Sequence, residues 1–161
     1  MMKKMKENDF IVSKTDLKGR ITYVNRIFME MGEYTEEELL GQPHNIIRHP
    51  DMPKAVFKLL WDMVQNGDEI FAYVLNKTKN ANDYWVYANI TPSCDDKNQR
   101  VGYYSVRRQP NAEALKIIMP LYASMLKAEK SGGIDAGTKI LTNLLTEKGV
   151  GYNELIISLQ K

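Results

Sequence analysis

Residues 41–63 read GQPHNIIRHPDMPKAVFKLLWDM, and their punctuation organises the rest of the chain. Gln42 to Arg48 reads as a short irregular or helical segment, broken by His49-Pro50. Asp51-Met52-Pro53 opens a longer helix. A proline in the first turn loses nothing, because its missing N–H would be unpaired there anyway. Val56, Leu59, Leu60 and Met63 then repeat at helical spacing, and Asn66-Gly67 ends the helix. Asp51 is placed to cap it.

Working outward, the N-terminal side carries two more short helices. Asn25 is a cap for 26–31, with Gly32 as the stop. Thr35 and Glu38 form a capping box, and that helix ends at Gly41. Before them, 10–15 and 20–24 read as strands joined by the turn Asp16-Leu17-Lys18-Gly19. On the C-terminal side, 70–77, 84–93 and 100–108 read as three strands. The turns Asn80-Ala81-Asn82 and Asp95-Asp96-Lys97-Asn98 join them. A hairpin, a helical stretch and three further strands predict an α+β domain, with a five-stranded antiparallel sheet and helices covering one face. The space between helices and sheet is the expected ligand pocket.

Pro110 divides this domain, expected over 10–109, from a helical extension over 110–161. Leu115, Ile118, Tyr122 and Met125 form one apolar stripe. Pro120 should kink or restart that helix, and Ser131-Gly132-Gly133 should break it. A second helix carries Ile140, Leu141, Leu144 and Leu145, and a short third ends near Leu159. Packing back on the sheet is the expected fate of the stripe, with self-pairing or docking on another protein as alternatives. Residues 1–9, with Lys3, Lys4 and Lys6, read as a solvated, frayed tail.

Composition excludes several classes. Hydrophobic residues make up 43% of the 161, enough for a core. A net charge of +2, with charged residues at 26% and both signs balanced, leaves no basic face for nucleic acid. No apolar run reaches the roughly 20 residues of a membrane span. One cysteine, Cys94, cannot form an internal disulfide, which suggests a reducing cytoplasm. With no Ser/His/Asp or Cys/His arrangement, no metal cluster and no glycine-rich phosphate loop, an enzyme is not expected.

The string Gly-Gln-Pro-His-Asn-Ile-Ile-Arg-His-Pro-Asp-Met-Pro at 41–53 resembles the PAS domain of the Aer-type aerotaxis family. The likeness continues through 54–57 and Trp61. It resumes at Asn76, Lys79-Asn80, Tyr84-Trp85-Val86, Ala88-Asn89, Thr91-Pro92, Gly102-Tyr103 and 105–107, and covers about 10–108. It implies a PAS fold, non-covalent FAD and a redox report on respiratory electron flow. It also implies signalling by protein contact to a methyl-accepting chemotaxis transducer or its HAMP region. With no membrane segment of its own, the chain looks like a stand-alone energy-taxis protein. It is then expected in the cytoplasm, held near the membrane through its partner, and possible as a homodimer.

The resemblance makes Arg48, His49 and Asp51 FAD-binding residues. By their own chemistry, Arg48 can grip phosphate oxygens or form a surface ion pair, and His49 can donate to a ligand or cap a helix end. Alignment with LOV photoreceptors, which are also PAS domains, puts His44 where the reactive cysteine stands, so adduct photochemistry is not expected. It puts Asn45 and Arg48 at polar flavin contacts and Asn76 against the ring. An amide there offers both donor and acceptor, though Asn76 also reads as a strand-end polar residue. Trp61 is core or cofactor wall. Ile70-Phe71 stands where aerotaxis receptors carry a tryptophan, with Phe71 as the substitute wall.

Period-2 alternation turns Ala72, Val74, Asn76, Val86, Ala88, Ile90, Tyr103, Ser105 and Arg107 inward, and Trp85, Tyr87 and Asn89 outward. Trp85 reaches a ligand only across a bulge. The alternatives are a haem b gas sensor, using His44 or His49 as axial ligand, and a cofactor-free interaction module.

Overall fold

Inward residues buried at alternate positions mark one face of each of the longer strands. In a computed structural model that describes residues 1–161, β2 (Ile11–Asp16), β3 (Ile21–Val24), β4 (Ile70–Lys77), β5 (Asp83–Cys94) and β6 (Arg100–Arg108) lie in the order β4-β5-β6-β2-β3. All these neighbours are antiparallel. Gly102 sits where β6 crosses Thr15 of β2, and a Cβ there would overlap the Thr15 carbonyl oxygen.

The tail is not frayed. β1 (Met2–Lys3) adds a sixth strand, parallel to the start of β5, with Met2 opposite Asp83 and Lys3 opposite Tyr84. Met5 is buried in the main core. Lys3 Nζ donates to the carbonyls of Glu30 and Met31, both at 3.0 Å, so one of the three lysines satisfies a helix C-terminus.

Helices α1 (Arg26–Gly32), α2 (Glu36–Leu39) and α3 (Lys54–Gln65) cover the inner face, with a 3-10 turn over His44–Ile47. Asn25 caps α1: its Oδ1 accepts from Phe28 N at 3.1 Å and from Val12 N at 3.0 Å. The left-handed residue after α1 is Glu33 (φ 64°), not Gly32, and its carboxylate accepts from Asn82 Nδ2. The capping box at Thr35 and Glu38 is present.

Asp51 does not cap α3. Pro53 stands at the cap position without a side-chain bond, and the orphan amides of Lys54 and Ala55 donate instead to the Glu129 carboxylate at 2.8 and 3.1 Å.

The C-terminal extension packs on the outer face of β4 and β5. Helix α4 (Ala112–Lys148) runs through Pro120 without a break and leaves helical geometry only at Gly133 (φ 71°, ψ −166°). Its buried face is Ile118, Tyr122 and Met125, with Leu115 packed against the same core. Tyr122 Oη donates to the Tyr73 carbonyl at 2.6 Å, and Tyr73 Oη donates to the carbonyl of Ile156 in α5 (Tyr152–Leu159) at 3.3 Å. No helix is long and apolar enough to cross a membrane.

Candidate functional site

Between α3, the 3-10 turn and the inner face of the sheet lies a cavity of about 230 Å³. Val74, Asn76, Ala88, Ile90, Ser105 and Arg107 line it from the sheet, as strand alternation predicts. Ser13 and Thr15 extend the same surface into β2. His44, Asn45, Arg48, Phe57, Leu60 and Trp61 face them from the helical side. Small side chains at Ala88 and Ser105 leave the sheet surface flat, which suits a planar ring.

The floor is polar, with Ser13 and Arg107 buried and His44 partly so. Arg107 donates from Nη2 to Ser13 Oγ at 2.6 Å, and its guanidinium lies 4.8 Å above the Phe28 ring. Ser13 Oγ is 2.9 Å from His44 Nε2. The direction of the Ser13–His44 hydrogen bond follows the tautomer of the ring, because a hydroxyl that accepts from arginine can still either donate or accept once more. His44 keeps some exposure as a residue, but its imidazole is enclosed by protein. Burial, and then the nearby Arg107 charge, pull its pKa down to about 3. Burial also pulls Arg107 down to about 10, a value that keeps it charged at neutral pH.

Of the three buried side-chain polar atoms without a partner, Tyr152 Oη lies in α5, and Asn76 Nδ2 and Arg107 Nε belong to residues that line this cavity. Both residues are 3% exposed. No carboxylate is within ion-pair distance of Arg107. An uncompensated buried charge costs several kcal/mol, and a buried unsatisfied amide about 1–3 kcal/mol. Both groups belong to residues that line one cavity, with the Tyr84 hydroxyl as the nearest polar neighbour of Asn76, and a polar ring bound there would supply acceptors.

The rim is amphipathic. Trp61 packs edge-on against Tyr103, with ring centroids 5.6 Å apart, and against Gly19, whose left-handed backbone (φ 81°) turns the chain there. The Arg48 guanidinium lies 3.8 Å over the Phe57 ring, and the Arg48 backbone bridges Asn76. A second, open groove of about 780 Å³ begins at Asn45 and Arg48 and continues between α3 and α4 past Lys54, Glu129 and Lys130.

The expected site residues therefore divide. His44, Asn45, Arg48, Trp61 and Asn76 surround one cavity. His49 lies outside it, lining the groove, with Nδ1 accepting from Asp51 N at 3.0 Å and Nε2 at 3.1 Å from Asp83 Oδ1. Asp51 lines neither space, and its carboxylate is largely exposed. Phe71 and Trp85 are on the other face of the sheet. Phe71 stacks on Tyr87 at 5.9 Å, and Trp85 meets Tyr122 at 6.0 Å. The strand between them is regular, Ala72 opposite Ala88 through Asn76 opposite Tyr84, so no bulge turns Trp85 inward. For a haem, both nitrogens of His49 and Nε2 of His44 are already engaged.

Arg107 was legible only as an inward strand position. The signal was a charged residue at a buried register, which is rare unless it is paired or meets a ligand. Ser13 and Glu129 carried no local signal.

A ligand cavity enclosed between a five-stranded antiparallel core sheet and short helices, with buried polar groups left unpaired, defines a small-ligand sensor domain of the PAS type. The PAS-fold family model matches residues 21–107, more than half of the chain, and the chain belongs to that family. It is 39% identical over 127 residues, 79% of its length, to the aerotaxis receptor of Escherichia coli (strain K12), and spans 25% of that receptor. A PAS domain from Colwellia psychrerythraea superposes with a TM-score of 0.57 at 22% identity, over 62% of this chain and 85% of that one. The dark structure of the blue-light photoreceptor Aureochrome1 LOV superposes with a TM-score of 0.59 at 21% identity, over 70% of this chain and 82% of that one.

Proposed function

We propose that this PAS domain is a flavin-binding redox sensor for energy taxis, with FAD as its cofactor and no catalytic role. The unpaired Asn76 Nδ2 and Arg107 Nε in the cavity carry the reading. The similarity to the aerotaxis receptor supports the same choice. A cavity of about 230 Å³ is smaller than the roughly 300–1,000 Å³ of sites that enclose a whole drug-sized ligand. It suits one ring system. The ribityl and phosphate chain of a flavin would pass Asn45 and Arg48 into the groove, where Lys54 and Lys130 add positive charge.

A bound flavin supplies a reversible redox couple. Arg107 holds a positive charge beside it that no carboxylate neutralises, so added negative charge on the ligand is favoured there. Asn76 presents an amide to the ring edge. His44 stays neutral and offers no second cation. Ser13 joins His44, Arg107 and β2, so a change in the ligand's charge reaches the sheet through two hydrogen bonds. The outer face of that sheet carries α4 and α5, and they pass the signal by contact to a chemotaxis transducer on the cytoplasmic side of the membrane.

Aerobic purification, flavin reconstitution and an absorption spectrum test this reading. Oxidised-flavin bands that bleach on reduction are expected, and heat-released cofactor should chromatograph as FAD. A colourless protein after reconstitution removes the proposal.

A further inference from the structure

The α3 N-terminus is already occupied by an anion from the chain itself. Glu129 of α4 accepts from both Lys54 N and Ala55 N, at 2.8 and 3.1 Å. The first amides of a helix carry partial positive charge, which favours a carboxylate or a phosphate alike. Space for the Glu129 side chain exists because residue 137 is glycine: a Cβ there would overlap the carboxylate. The chain turns at Gly133, so Gly137 comes back against Glu129 from the second half of α4.

This seat adjoins the ligand site. Arg48 lines both the ring cavity and the groove that contains Glu129. It also stacks on Phe57 of α3 and bridges Asn76 through its backbone. The Glu129 charge favours the protonated guanidinium, although partial burial is the larger influence and lowers the Arg48 pKa. Asn45 and Arg48 line both spaces, and Lys54 lines the groove beside Glu129, so a ligand chain that left the cavity past Arg48 would enter the groove next to this helix end. Two anions at one helix end repel each other.

We propose that Glu129 is an internal competitor for the phosphate end of the ligand, so that a phosphate-bearing flavin loosens the C-terminal helices and an unphosphorylated one does not. The proposal rests on the flavin reading and adds how that site is regulated. Glu129 thereby selects among flavins and reports occupancy. When a phosphate takes the Lys54 and Ala55 amides, α4 keeps its apolar contacts but loses its charged anchor.

The test loads the full chain with riboflavin, FMN or FAD and follows hydrogen exchange across residues 112–132. FMN and FAD should speed exchange there, and riboflavin should leave it as in the free protein. Glu129→Gln should raise affinity for FMN relative to riboflavin by about three- to tenfold and abolish the difference in exchange. Gly137→Ala, which crowds the carboxylate off its seat, should give the riboflavin-loaded protein the faster exchange. Glu129→Gln keeps side-chain shape and decides the matter if Gly137→Ala does not fold. Slower exchange with FMN than with riboflavin, or a Glu129→Gln protein that binds FMN more weakly, overturns the proposal. If flavins bind but the helices respond equally to all three, only the competition fails. If none of the three binds, the flavin reading fails and takes the competition with it.

Discussion

Arg107 is the residue whose removal separates a ligand role from a packing role. Arg107→Gln removes the charge and leaves an amide near the Nε position, short of the Nη2 that meets Ser13. In flavin-loaded protein it should lower the reduction midpoint by on the order of 60 mV, a tenfold change in a one-electron equilibrium. An unchanged potential in a spectroelectrochemical titration would leave Arg107 as a structural residue. Asn76→Ala should weaken flavin binding by about 1–3 kcal/mol, the loss of a buried hydrogen bond, read by fluorescence quenching. His44 makes a different prediction. Its folded pKa of about 3 lies below the ordinary value of 6.5, so the unfolded chain binds the extra proton first. Stability from this group is therefore full above about pH 6.5 and falls as pH drops toward 3, by about 1.4 kcal/mol per pH unit. Glu33 and Glu38, whose pKa values are lowered by their hydrogen bonds, add to acid loss from below their ordinary carboxylate range. Urea unfolding between pH 7 and 5, where those carboxylates stay ionised, should show the slope in the parent chain. His44→Asn should lack it.

At the scale of elements, two junctions decide how the helices and strands meet. Asn25 serves three backbone groups at once: Val12 N, Phe28 N and, through Nδ2, the Phe10 carbonyl at 2.8 Å. Asn25→Ala should therefore cost more than an ordinary cap, about 2 kcal/mol, measured by chemical denaturation. Gly102→Ala should cost about 1–3 kcal/mol by forcing β6 away from Thr15. These junctions also show what local sequence conveys. The Asn25 cap and the Thr35/Glu38 box were legible because each is complete within four residues. The α3 cap was not, because its acceptor, Glu129, is 75 residues from Lys54. Pro120 misleads in the same way: the buried face at Ala114, Ile118, Tyr122 and Met125 flanks it on both sides and outweighs the loss of one backbone bond. The Met2–Lys3 strand escapes local reading because two residues carry no period.

For the whole molecule, the C-terminal helices are part of the core rather than an appendage. Ala114, Ile118, Tyr122, Met125, Leu141 and Ile156 belong to one hydrophobic cluster with Phe28, Tyr73 and Val86. Removing 110–161 uncovers Phe71, Tyr73, Trp85 and Tyr87 together. The truncated 1–109 chain should self-associate and bind a hydrophobic dye, as light scattering and dye fluorescence would show. A monomeric, dye-silent truncation would mean that the sheet face is covered in another way.

The amino-acid sequence determined by itself the PAS class, the five long strands of the sheet and the inward set that ends at Arg107. Strand alternation and complete local caps are short-range properties, and a period of two leaves only one choice of face. It also placed His44, Asn45, Arg48, Trp61 and Asn76 on the residues that surround the cavity. Only the tertiary structure decided that Phe71 and Trp85 face away from it, that His49 is spent on Asp83, and that Asp51 holds neither helix nor pocket. It alone left Arg107 without a counter-charge and put Glu129 on α3. Those facts depend on which distant groups arrive beside a residue, and a charge or a helix end takes its meaning from that neighbour.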